Sequence, residues 1–271
     1  MIDVSEEALR RVVEAALVAA PQLRARNIML VGALCRDVLH RRLGHTFTTT
    51  ATQDLGLGLA LSSWESYLSL AAAFPAVGDT GVRFRIAGVD VDLLPFGDVD
   101  DPRGTVEPPT RHEPMSVWAF REIFAGSQPW AISPNLTISI PTIPGYTAAK
   151  LGAWLDRSAY GQVKDASDIA LTLFWYAESA QLETRLYETA NGNAVLLQEG
   201  MNVPVAAARL LGADIAYLIG PDRLSELLTR WPGSHDLLIK ELVVRADKTT
   251  ANVGDRIERV AALTRGLRDN R

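Results

Sequence analysis

The segment Asp54-Leu55-Gly56-Leu57-Gly58-Leu59-Ala60-Leu61 alternates without a break. Side chains two apart share one face of a strand, so four leucines make a buried face. Asp54, Gly56, Gly58 and Ala60 then line the other, which we expect to be open or close to a ligand. A central strand of this kind demands neighbours, and the flanking sequence supplies them. Ile28 to Val31 is a short apolar run closed by Gly32, after which Ala33 to Leu43 takes helical spacing until Gly44. Val82 to Ala87 and Val89 to Phe96, divided by Gly88, read as an antiparallel pair with Asp90 and Asp92 pointing the same way. Leu136 to Ile140 is a further strand, and Pro144 is placed to open the helix carrying Lys150, Trp154 and Arg157.

Around these elements the chain is helical or irregular. Leu9, Val12, Val13, Ala16 and Leu17 follow the period of an amphipathic helix, with Asp3 and Glu6 as a capping-box variant. Trp64 to Phe74 reads as a helix. Residues 97–115, with four prolines, read as a loop or lid. From Asp165 onward the pattern is helical, with breaks near Gly192, Pro204, Gly212, Pro221 and Pro232. The expected fold class is α+β: a mixed-sheet domain over residues 1–145, then an all-helical domain over 146–271 that completes the site.

Composition narrows the setting. With 271 residues, 48% of them apolar, the chain is long enough for a core of its own. The single Cys35 excludes an internal disulfide and any multi-thiolate metal centre, and suits a reducing, cytoplasmic compartment. No apolar run is expected to span a membrane, and the acidic start lacks the basic region of a signal peptide. The formal net charge of −5 argues against bulk coating of nucleic acid, but residues 201–271 hold 11 basic against 9 acidic groups. Arg209, Arg223, Arg230, Lys240, Arg245 and Lys248 in that region are where an RNA backbone would lie.

The chemistry-bearing pattern is a combination. A strand–glycine–helix turn at Val31-Gly32-Ala33 offers backbone N–H groups to a phosphate, with Arg36 one turn on. Asp54, Asp90 and Asp92 on neighbouring strands offer the oxygen ligands that Mg²⁺ prefers. His40 and His45 are spaced poorly for a metal and read as structural or solvated. Cys35 reads as a small buried residue, and Trp154, Trp175 and Tyr176 as core.

Four ordered blocks resemble the AbiEii-type nucleotidyltransferases, the toxins of toxin–antitoxin and phage-abortive systems, MenT-type enzymes included. They are Val31 to Leu34; Thr52 to Asp54; Val91-Asp92-Leu93-Leu94-Pro95-Phe96-Gly97; and Lys150 to Arg157 with Lys164 to Ile169. The resemblance covers roughly residues 28–178. It implies a fold related to polymerase β and Mg²⁺-dependent transfer of a nucleoside monophosphate from a nucleoside triphosphate to an acceptor. In relatives the acceptor is the 3′ end of tRNA, and a cognate antitoxin accompanies the enzyme. Carried onto this sequence, it makes Gly32 and Ala33 the phosphate turn, with Thr52, Arg36 and Arg157 at the nucleotide. Asp54 and Asp92 become metal ligands, Lys150 the triphosphate contact, and Asp165 or Asp168 the late acid.

Two positions depart from the family. Gly56 stands where an Asp-x-Asp pair has its second carboxylate, and Ala33 where many nucleotidyltransferases have Ser. We expect Asp90, on the Asp92 face, to fill the vacancy at Gly56. Two alternatives follow: transfer to a small-molecule or protein hydroxyl, and a catalytically degenerate member that binds nucleotide or a partner without turnover.

Overall fold

The computed structural model describes residues 6–49, 55–111, 113–162, 164–244 and 251–269. The chain is α+β and divides into two compact units: residues 1–39 with 49–142, and residues 40–48 with 143–271. The division expected after residue 145 falls three residues earlier. The short segment 40–48 belongs with the second unit.

The first unit runs α1 (Glu6–Ala19), β1 (Ile28–Val31), α2 (Gly32–Arg42, whose last turn enters the second unit), β2 (Leu55–Leu61), α3 (Glu65–Ala73), β3 (Arg83–Ile86) and β4 (Val89–Gly97). It continues through β5 (Thr105–Val106), β6 (Met115–Ser116), α4 (Phe120–Ala125), β7 (Gln128–Ser133) and β8 (Leu136–Ile140). Six strands form one mixed sheet in the order β3-β4-β2-β1-β8-β7. β1 is antiparallel to β2, β2 is parallel to β4, and β3 closes a hairpin on β4 through Ala87 and Gly88, both at positive φ.

Alternation fixes one face of that sheet. Leu55, Leu57 and Leu59 are fully buried with Ile28, Leu30, Phe84, Ile86, Val91 and Leu93. The Tyr67 ring of α3 meets Phe84 edge-on at 6.3 Å, so α3 covers this face, and α1 touches α3, β3 and β7. The opposite face is not open as expected. Gly56 and Gly58 are buried, and a Cβ at Gly58 would meet Phe96 at 3.2 Å and Met29 at 3.5 Å. The glycines of β2 make room for side chains of β1 and β4 rather than for a ligand.

The described residues of 97–115 are tied down, not a free lid. Asp100, with 1% of its side chain exposed, accepts from Arg121 Nε at 2.9 Å and from the Gly104 N–H at 2.7 Å. Burial works against its charged form, but Arg121 and that N–H outweigh it and hold the carboxyl below its ordinary range. Residues 105–106 and 115–116 pair as a small second sheet.

The second unit is helical: α5 (Ile143–Ser158), α6 (Lys164–Ala177), α7 (Ala180–Glu188), α8 (Ala190–Gln198), α9 (Val203–Arg230), α10 (Asp236–Glu241) and α11 (Val253–Arg268). Helix α9 contacts α5, α6, α8 and α11. Gly212 does not break it, contrary to expectation. A Cβ there would sit 2.3 Å from the Leu263 carbonyl, and one at Gly266 would sit 1.9 Å from the Arg209 carbonyl, so the two glycines let α9 and α11 touch backbone to backbone. The kink comes at Gly220 (φ +73°), before Pro221.

Helix α9 also corrects the expectation that no run could span a membrane. By length and composition it is apolar enough, because Arg209 and Asp214 are its only charges before Gly220. Over half of that apolar window is buried inside the protein, and both charges are paired: Arg209 with Glu199 and Asp269, Asp214 with Arg185 and Tyr176.

Candidate nucleotide site

Strand register builds the site. Val31 lies opposite Gly56, Gly56 beside Asp92, and Asp92 opposite Arg83, so one row crosses β1, β2, β4 and β3. Side chains paired in this way share a face. Gly32 follows Val31 directly, turns with φ +73° and opens α2. The start of that helix therefore stands about two strand spacings, roughly 10 Å, from Asp92. The N–H groups of a helix's first turn point past its N-terminus, which is where an anion binds. Ala33 occupies the second position of this turn and is half-buried.

The carboxylates on the row are not bare. Both oxygens of Asp92 accept from Arg83, from Nε at 2.7 Å and from Nη2 at 3.0 Å, a bidentate pair with each side chain 28% exposed. Asp90, two residues back on the same face, accepts from Arg85 Nε through one oxygen. Arg83 and Arg85 are the residues that sequence reasoning missed. Their signal was legible: Arg-x-Arg two residues before a Gly turn, with Asp-x-Asp just after it, must pair across a two-residue hairpin. Half-exposed pairs of this kind contribute about 0–1 kcal/mol.

Gly56 is a vacancy in charge only. A Cβ built there would sit 3.1 Å from Val31 Cγ2 and 3.2 Å from the Val31 carbonyl oxygen, so Val31 already takes the space. Asp90 does not enter it, since its side chain is engaged by Arg85 on β3, away from β1. Thr52 and Asp54 lie outside the described residues. Among the described residues no three His, Cys, Asp or Glu side chains cluster as metal ligands. The donor chemistry of Asp90 and Asp92 nevertheless fits Mg²⁺: two partly exposed carboxylates on one strand face, near a phosphate-type turn.

Arg36 departs from expectation. It is 5% exposed and its Nε donates to Asp37 at 2.9 Å, while Asp37 also accepts from the Thr49 hydroxyl at 2.7 Å. Leu34, Cys35, Val38 and Leu39 are buried with it, so this part of α2 faces the protein interior rather than a phosphate.

In the second unit, Lys150 and Arg157 of α5 meet Asp165 and Asp168 of α6. Lys150 Nζ lies 2.6 Å from Asp168 Oδ2 and 3.3 Å from Asp165 Oδ1, and Arg157 Nη1 reaches Asp165 Oδ2 at 2.8 Å. Two cations meet two carboxylates, and Asp165 is 1% exposed, so the cluster is neutral and largely desolvated. Tyr146 completes it: its ring lies 5.5 Å from Lys150 Nζ and its hydroxyl donates to Asp168 at 3.3 Å.

The candidate RNA-facing arginines form a mixed-charge surface, as the near-equal count of 11 basic and 9 acidic groups suggested. Arg209 pairs with Glu199 at 3.0 Å and with Asp269 at 2.7 Å, and Arg230 pairs with Asp156. Arg223 is 4% exposed and bonded to Glu226, so it cannot lie on an RNA backbone. Lys240 remains exposed, and Arg245 and Lys248 lie outside the described residues.

The residues read as structural are so. Cys35 is fully buried, and Trp154, Trp175 and Tyr176 are core. His40 Nδ1 accepts from Trp175 Nε1 at 2.9 Å, which places the imidazole proton on Nε2, donating to the Phe47 carbonyl at 3.0 Å. No family model matches the chain, and no curated protein matches it.

Proposed function

We propose that this chain is a cytoplasmic nucleotidyltransferase that moves a nucleoside monophosphate from a nucleoside triphosphate to the 3′ end of tRNA, acting as a toxin restrained by an antitoxin. The observation that carries the reading is the row Val31–Gly56–Asp92, which sets a glycine-opened helix start and a carboxylate on one sheet face. The acceptor and the toxin role rest on the family resemblance.

In this reading the first turn of α2 binds phosphate oxygens through its backbone. Asp92 orients the acceptor hydroxyl, which passes its proton to solvent as its oxygen bonds to the α-phosphorus and the bond to the departing pyrophosphate breaks. Mg²⁺, when held by Asp92 and Asp90, supplies charge neutralisation at the phosphates. The neutral pairing around Lys150 means that its ammonium meets an anion only by giving up a carboxylate.

A second reading has its own support. Val31 filling the space at Gly56, and Arg83 bonding both oxygens of Asp92, favour a degenerate member that binds nucleotide without turnover. Incubation with total tRNA, Mg²⁺ and each of the four α-³²P nucleoside triphosphates separates the two. Label on tRNA that vanishes with Asp92→Asn supports transfer. Nucleotide binding without label supports the degenerate reading, and neither binding nor label refutes both.

A further inference from the structure

We infer that Arg83 is a cation gate on Asp92: it holds the carboxylate until a divalent ion arrives, and the displaced guanidinium then becomes a ligand for the nucleotide's phosphates. The second half of this inference rests on the nucleotidyltransferase reading, and the first half does not.

Three observations lead to it. Arg83 uses two donors on both oxygens of Asp92, so the carboxylate charge is already neutralised and a cation reaching the remaining lone pairs must compete with the guanidinium. The pair is 28% exposed on each side, so it opens at small cost, unlike the desolvated Asp165 cluster. The missing carboxylate at Gly56 makes the balance asymmetric, since the only carboxylate of the Val31–Gly56–Asp92–Arg83 row faces an arginine on the same row. A dication competes with a guanidinium for a carboxylate, and in the nucleotidyltransferase reading an arginine so released is free to turn to the bound triphosphate. Planar bidentate donors suit phosphate oxygens as well as they suit carboxylate.

The gate makes two predictions of opposite sign for one substitution. Without nucleotide, Arg83→Gln binds Mn²⁺ about three- to five-fold more tightly than the natural protein, followed as free Mn²⁺ by electron paramagnetic resonance. With Mn²⁺ saturating, the same variant binds a non-hydrolysable nucleoside triphosphate about ten-fold more weakly by calorimetry. Arg83→Lys, which keeps the charge without the fork, lies between the two in Mn²⁺ affinity and guards against a folding defect in the glutamine variant. Unchanged or weaker Mn²⁺ binding by Arg83→Gln overturns the gate. Tighter nucleotide binding overturns the phosphate role. If the natural protein binds no nucleotide, the nucleotidyltransferase reading fails while the Mn²⁺ comparison still decides the gate.

Discussion

Gly56 stands beside Asp92 across the parallel pair β2–β4, and Val31 from β1 fills the volume that a side chain at Gly56 would need. Restoring a carboxylate there is therefore a packing problem before it is a chemical one. Gly56→Asp should destabilise the metal-free protein by about 1–3 kcal/mol, the usual cost of overpacking a tight site. Val31→Ala in the same chain should recover part of that loss, giving a favourable coupling energy in a urea-denaturation double-mutant cycle. Additive losses would show that Val31 is not the obstacle.

Helix α6 holds the segment 40–48 through Trp175 Nε1, which donates to His40 Nδ1, and through the Phe174 ring, which meets His45 and Phe47. Trp175→Phe removes that hydrogen-bond donor from the buried His40 and creates a void. The expected loss is about 2 kcal/mol or more by chemical denaturation. A loss below half of that would mean that another group satisfies His40.

The four-residue cluster on α5 and α6 separates buried from exposed pairing. Asp165→Asn removes the 1%-exposed carboxylate shared by Lys150 and Arg157, and should cost about 3 kcal/mol. Arg157→Gln removes a partner that is 43% exposed and should cost under about 1 kcal/mol. Equal losses would remove the distinction.

Acid should destabilise the protein in two stages. Burial lowers His45 from its ordinary value near 6.5, so the unfolded chain takes up that proton first and stability falls as the pH drops below about 6.5 towards the folded value. His235, lowered by burial and by Arg268, acts in the same direction. Asp100 is held below its ordinary range, so its contribution is present above that range and is lost as the pH falls through the folded value. Thermal melts from pH 8 to 3 should show the first loss diminished in His45→Gln and the second in Asp100→Asn.

The sequence made the sheet readable where alternation or turns were strict. The four-leucine face of β2, the β3–β4 hairpin, Leu136–Ile140 and the proline-opened α5 all follow from local pattern. It hid β7, where Pro129 interrupts the run and the edge position relaxes the pattern, and α4, a six-residue helix entered from Ala119 at positive φ. Glycine's double meaning misled the reading of the site face: the same alternation that exposes a face to a ligand also admits a neighbour's side chain, and only register shows that Val31, Met29 and Phe96 take the space. Burial misled it at Arg36 and Arg223, since a charge count does not say which arginines turn inward. Helical spacing put Lys150 and Arg157 on nearly one face of α5, but their meeting with Asp165 and Asp168 across to α6 was expected only from the family resemblance.

The central claim is that a nucleoside triphosphate sits on the row running from the Gly32 turn to Asp92. Calorimetric titration of the full chain with a non-hydrolysable nucleoside triphosphate in Mg²⁺ tests it most directly, beside Asp92→Asn and an Arg10→Gln control on the far helix α1. The account predicts saturable binding that falls about ten-fold or more in Asp92→Asn and is unchanged in Arg10→Gln. Absence of saturable binding, or equal affinity in the natural protein and Asp92→Asn, would contradict it.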